Sequence, residues 1–203
     1  MAGDLVIPEG ALAVIVFAHG SGSSRFSPRN RSVAGVLQQG GFGTLLLDLL
    51  TAAEEEVEAT RFDIGLLTRR LIEATDWLSG EAATQHLEVG YFGASTGAAA
   101  ALAAAAERAS VVGAVVSRGG RPDLAESLSA VKAPTLLIVG GEDRPVIQLN
   151  EQAFHALHCE KRLEIIPGAT HLFEEAGALK RVSELARDWL CDHLSVRPHL
   201  AAS

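Results

Sequence analysis

Apolar and polar positions along this chain fall into blocks rather than alternating singly. Near-continuous apolar runs at 12–18, 44–50, 87–92, 111–116, 135–139 and 162–166 predict buried strands. Helical patterns fill the intervals, at 29–39 behind Ser27 and Pro28, and at 97–108, 146–158 and 177–193. A further helix opening near Phe62 carries Ile64, Leu67, Leu71, Ala74 and Leu78 along one side, at the 3,4,3,4 offsets of an amphipathic helix. Buried strands separated by helices predict an α/β fold: a mostly parallel sheet covered on both faces. Right-handed crossovers then bring every strand-to-helix loop to one sheet edge, where open α/β sheets bind ligands. The acidic segment 52–60, with Glu54, Glu55, Glu56 and Glu58, predicts a solvated loop or helix start; a mobile flap over the site is the sharper alternative. There is no internal repeat, and a disordered tail is expected only in the last few residues.

Composition narrows the picture. A chain of 203 residues is expected to form one domain over 1–203, with a core spanning about 12–193. Hydrophobic residues make up 48% and charged residues 21%, the balance of an ordinary soluble protein. A formal charge of -8 argues against nucleic acid or an anionic membrane as the main partner. The two cysteines, Cys159 and Cys191, have no metal-ligand spacing and are expected as free thiols in a reducing compartment. Asp4 and Glu9 stand where a signal sequence would be basic, so 11–18 is expected as a strand. No apolar run reaches membrane-spanning length. The expectation is a cytoplasmic protein, monomer or homodimer, with no metal or cofactor.

The chemistry concentrates at Gly93-Ala94-Ser95-Thr96-Gly97, between an apolar run and an alanine-rich helical stretch. A serine on a strand that turns abruptly into a helix projects above the sheet edge, beside the helix's free N–H groups. Flanking glycines suit a turn that packs backbone on backbone. A nucleophilic serine needs a base, and the base an orienting acid. Asp143 follows the run 134–139 through Gly140-Gly141-Glu142, and His171 follows 162–166 through Pro167-Gly168-Ala169-Thr170. The order is serine, aspartate, histidine, each beyond a separate strand. Asp123 and Glu142 are alternative acids, His155 and His158 are expected on a helix surface, and His19 is expected as a structural hydrogen-bonding residue.

Together with His19-Gly20-Ser21-Gly22 after the first long strand, these motifs resemble the α/β-hydrolase superfamily, and within it the small dienelactone-hydrolase-like branch. The similarity covers most of 12–190. It implies that Ser95 attacks an acyl carbon, His171 relays the proton and Asp143 holds the imidazole. It also implies an oxyanion hole from the backbone N–H groups of Thr96 and Ser21, with Gly22 as the alternative to Ser21. Dienelactone hydrolases proper carry cysteine at the elbow where this chain has Ser95, so the implied activity is cleavage of small or medium carboxylic esters, lactones or thioesters. Only 118–134 separates two strands where larger relatives insert a cap domain, which predicts an open site. Arg25 and Arg118, in loops at the active edge, are candidate clamps for an anionic substrate group; the alternative for Arg25 is a structural pair with Asp48. Two other classes compete. One is a hydrolase-like fold used only for binding. The other is a nucleotide-binding protein using 20–25 as a glycine-rich loop and Asp48 for a ribose, although Arg25 occupies a position where that fingerprint needs glycine or alanine.

Overall fold

The computed structural model describes residues 1–194. The seven strands are β1 (Gly3–Val6), β2 (Ala13–Ala18), β3 (Gly43–Leu47), β4 (Glu88–Ala94), β5 (Val112–Arg118), β6 (Thr135–Gly140) and β7 (Lys161–Ile166). They form one sheet in the order β1-β3-β2-β4-β5-β6-β7. All neighbours pair in parallel except β1, which runs antiparallel to β3. The helices are α1 (Pro28–Gln39), α2 (Ala52–Glu55), α3 (Glu58–Arg61), α4 (Ile64–Gly80), α5 (Thr96–Glu107), α6 (Arg144–Ala156) and α7 (Ala178–His193).

Side-chain alternation along the buried strands divides the core in two. Val14, Val16, Tyr91, Val115 and Leu137 meet Leu67 and Leu71 of α4, the alanines of α5 and Ala153 of α6. Ile15, Phe17, Phe92, Val116 and Ile138 point to the other face, against Val33 and Leu37 of α1 and Val182, Leu185 and Leu190 of α7. Strands buried on both faces have to be apolar at every position, which is why they appear in the sequence as continuous runs.

The expected α/β architecture is present, and β1 is its one unpredicted strand. With an aspartate in its middle and a mostly exposed edge position, β1 carries no apolar run to announce it. Segment 52–60 folds into α2 and α3. A capping box at Thr51 and Glu54 starts α2, and both Glu54 carboxylate oxygens accept from Arg70 of α4 at 2.7 Å. Arg70 also donates to the Leu49 carbonyl, so this segment is fastened to the body. Helix α6 begins at Arg144, with proline in its first turn, and ends at Ala156, leaving His158 just beyond it. Residues 119–134 hold only two 3-10 turns, Pro122–Leu124 and Leu128–Ala130, in place of a cap domain. The expected disordered tail falls on 195–203, outside the described residues.

Candidate active site

Ser95 joins the central strand β4 to α5 with φ 51° and ψ −121°. Left-handed φ in a serine costs free energy and persists only where surroundings enforce it. Here they do. A Cβ at Gly97 would stand 2.2 Å from the Ala18 carbonyl oxygen and 2.4 Å from that of His19. One at Gly93 would stand 2.5 Å from the Ala98 Cα. Helix α5 therefore sits directly on β2 and β4, and the chain can enter it only through a tight reversal. Ser95 is the only residue of 91–100 that is not buried. Its backbone is pinned as well: its N–H donates to the Arg118 carbonyl at 3.2 Å, and its own carbonyl accepts from Arg121 N–H at 3.1 Å.

The loops after β6 and β7 are built as a unit. Gly141 N–H donates to the Ile166 carbonyl and Glu142 N–H to the Ala169 carbonyl. Gly140 lies so close to the second loop that a Cβ there would meet the Ala169 oxygen at 2.4 Å. Phe173, buried at φ 56°, anchors the far end of this loop in the α1/α7 core. Asp143 stands at the N-cap of α6 but makes no side-chain cap bond. Its Oδ2 accepts instead from His171 Nδ1 at 2.6 Å, with the aspartate largely buried. Nδ1 as donor leaves Nε2 of His171 as the basic nitrogen. Gly119 lies between this pair and the elbow. A Cβ on it would stand 3.4 Å from the His171 ring, and the residue before it holds Ser95 N–H.

The loop after β2 approaches from the opposite side, and a Cβ at Gly20 would reach the Ser95 Cβ at 3.0 Å. His19 is buried; its Nε2 accepts from Leu49 N–H at 3.0 Å and its Nδ1 meets the Gly20 carbonyl, a structural tie between two loops. Thr96 N–H is the first amide of α5, where no intrahelical acceptor exists. Ser21 N–H is differently placed from expectation: it donates to the Thr96 hydroxyl at 2.9 Å rather than standing free. Gly22 N–H reaches a Glu55 carboxylate oxygen at 3.3 Å, which seats α2 beside this loop. A cleft of about 570 Å³ opens there, lined by Gly22, Ser24, Phe26, Arg29, Glu56 and Arg61 among others.

Other candidates separate clearly. Asp123 forms a two-point ion pair with Arg121, which holds its carboxyl below the usual range, and it makes no bond to His171. Glu142 is exposed, as are His155 and His158. Arg25 ion-pairs with Asp48 and Asp4 and lies over Phe26, so its charge is neutralised within the protein. Asp48 is occupied by the same pair, which leaves the nucleotide reading without its ribose acid. Cys159 meets Thr135 at the first residue of β6, the sheet end opposite the elbow, and Cys191 lies in α7. Among the described residues no cluster of three or more His, Cys, Asp or Glu is placed to hold a metal ion, and no helix is long and apolar enough to cross a membrane.

Asn150 was not legible as a site residue. Fully buried on α6, it donates to the Gly120 carbonyl at 3.0 Å and steadies the loop carrying Arg118 and Gly119. Its only signal is an asparagine on the buried face shared by Val146 and Ala153.

A central strand ending in a strained serine, a short first loop beside it and an aspartate–histidine pair on the loops after the last two strands are the arrangement of an α/β-hydrolase fold. The chain belongs to the dienelactone hydrolase family, whose model matches residues 1–190. A dienelactone hydrolase from Anabaena variabilis shares 64% identity at a TM-score of 0.91, covering 94% of this chain and 91% of that one. Est1E from Butyrivibrio proteoclasticus has the same fold at 14% identity and a TM-score of 0.79, covering 94% and 93% of the two chains. A Mycobacterium tuberculosis protein provisionally named a phosphoribosyl transferase is 58% identical over 195 residues, 96% of this chain. The chain spans only 44% of that relative's length. The chain has the fold of an α/β-hydrolase.

Proposed function

We propose that this protein is a serine esterase acting on small or medium carboxylic esters, lactones or thioesters, with Ser95, His171 and Asp143 as its triad. The observation that carries the reading is the 2.6 Å bond between Asp143 and His171, on loops that meet the elbow through Gly119. Ser95 Oγ attacks the carbonyl carbon while Nε2 of His171 takes its proton, and the carbonyl π electrons move to oxygen. Collapse of this tetrahedral species breaks the bond to the leaving group, which departs with the proton from His171 and leaves an acyl-serine. Water then attacks the acyl carbon, gives a proton to His171 and releases the acid as Ser95 recovers its proton. Asp143 holds the imidazole and stabilises its charged form.

Thr96 N–H is the first oxyanion donor. Ser21 N–H is the second once the substrate oxygen displaces or shares the Thr96 hydroxyl that now accepts its bond. The mycobacterial relative's name belongs to a chain of which this protein matches less than half, so it does not direct the reading. The substrate is a small acyl compound, and the short 119–134 connection leaves its approach uncovered.

A fluorophosphonate probe tests this directly, since an activated serine displaces fluoride and becomes phosphonylated. Labelling and hydrolysis of p-nitrophenyl acetate should both vanish in Ser95→Ala, and kcat should fall by up to about 10⁶ in Ser95→Ala or His171→Ala. Labelling that persists in Ser95→Ala, or hydrolysis that survives it, refutes the assignment.

A further inference from the structure

Thr68, in the second turn of α4, is only 3% exposed, and its Oγ1 has no hydrogen-bond partner among the described residues. Three other helix hydroxyls donate back to the carbonyl four residues earlier: Thr75 to Leu71 at 2.9 Å, Ser79 to Thr75 at 3.1 Å and Ser183 to Leu179 at 2.9 Å. Thr68 does not make the equivalent bond to Ile64. A buried hydroxyl left without a partner is costly, and native structures keep few of them. Thr68 stands in the wall of a cavity of about 310 Å³, a volume at the lower end of small-molecule sites.

The cavity lies where α4, α5 and the 119–134 connection meet, and Ile64, Ala103, Ala106 and Leu124 supply its apolar surface. Its charged groups come one from each element: Arg69 from α4, Glu107 from α5 and Glu126 from the connection, all exposed. Among the described residues none of the three is in an ion pair, with one another or elsewhere. Glu107 acts on its neighbour Arg108, but that guanidinium is bound by Asp76 at 2.8 Å. Arg69 folds back over Gly65, where a Cβ would stand 3.5 Å from its Nη1. The carboxylate on that side, Asp63, already uses Oδ1 for the Leu66 N–H. One cation and two carboxylates around an apolar surface, with a hydroxyl in the wall, suit neither a simple anion nor a hydrocarbon. They suit a molecule with both charges on an alkyl body: a carboxylate for Arg69 and Thr68, an ammonium for Glu107 and Glu126.

We propose that this cavity is a binding site for a small zwitterion, an α-amino acid with an alkyl side chain. None of Ser95, His171 and Asp143 lines it, so the site is separate from the proposed reaction and does not rest on it.

L-Alanine, L-valine and L-leucine are titrated by calorimetry into Ser95→Ala protein, so that binding is read whether or not the parent hydrolyses esters. Saturable binding of at least one is expected. The amine and the carboxylic acid that each becomes on losing one charged group (isopentylamine and 4-methylpentanoate for leucine) should bind about tenfold more weakly or worse, each lacking one charge-assisted contact. Arg69→Gln and Glu126→Gln, both at exposed positions and each added to Ser95→Ala, should weaken binding by about the same factor. Thr68→Val should weaken it too, while leaving the Tm of the free protein unchanged or raised, because valine removes a hydroxyl that has no partner in the fold. No saturable binding of any of the three amino acids overturns the proposal. So does binding that Arg69→Gln and Glu126→Gln leave unchanged, or binding of the singly charged analogues as tight as that of the amino acid. The expected pattern in a protein that hydrolyses no ester supports the site and overturns the esterase.

Discussion

Asp143→Asn separates the proposed chemistry from the fold. In the parent the carboxylate accepts from His171 Nδ1 at 2.6 Å, with the aspartate side chain 14% exposed, so water screens the contact weakly. An asparagine is nearly the same shape but can turn its NH2 toward Nδ1. That places the ring proton on Nε2, the nitrogen that has to accept from Ser95. Loss of the right tautomer and of the countercharge in comparable triads costs about 10⁴ in kcat, or roughly 5.5 kcal/mol of transition-state stabilisation.

Stability should scarcely follow. Asp143 stands at the N-cap of α6 without a cap bond, and asparagine is as good a residue there. Its backbone bonds, N–H to the Gly140 carbonyl and carbonyl from Ile147 N–H, do not involve the side chain. A change within about 1 kcal/mol would move Tm by roughly 2–4 °C for a chain of this size. Steady-state hydrolysis of p-nitrophenyl acetate and a thermal melt on the same samples check both halves. Activity within tenfold of the parent, or a lost activity matched by a collapsed Tm, refutes the reasoning.

Two further outcomes follow from the packing and the charges. Gly97→Ala puts a Cβ 2.2 Å from the Ala18 oxygen, where only backbone can yield, and should cost about 1–3 kcal/mol along with most esterase activity. Gly35→Ala, in α1 with nothing within 4 Å, should instead raise Tm slightly through helix propensity; melts that rank the two variants the other way contradict the elbow packing. Glu54, held by Arg70 and the Thr51 cap, has its carboxyl lowered from 4.5 to about 2. A depressed carboxylate stabilises the fold above the unfolded value and loses that contribution as pH falls through the folded one. The Tm gap between parent and Glu54→Gln should therefore be full above about pH 4.5 and narrow towards pH 2; a gap independent of pH rules this out.

The chain alone determined the fold class and most of its elements, because strands buried on both faces must be apolar throughout and helices on a sheet must repeat near 3.6. The elbow was legible for the same kind of reason: Gly93 and Gly97 are demanded by contacts that any chain turning so tightly has to make. Asp143 and His171 could be placed on loops at one sheet edge, since parallel crossovers leave no other location.

What remained depended on long-range geometry, which has no local signature. Edge strand β1 is only four residues long and mostly exposed. Arg25 and Arg118 were both candidate clamps until folding gave Arg25 two aspartates, while Arg118 makes no ion pair among the described residues. The bond that removes Ser21 N–H from free donors spans 75 positions, and the tie from Asn150 to Gly120 spans 30. Periodicity records which side of an element faces the core; which partner waits there is decided only when the sheet closes.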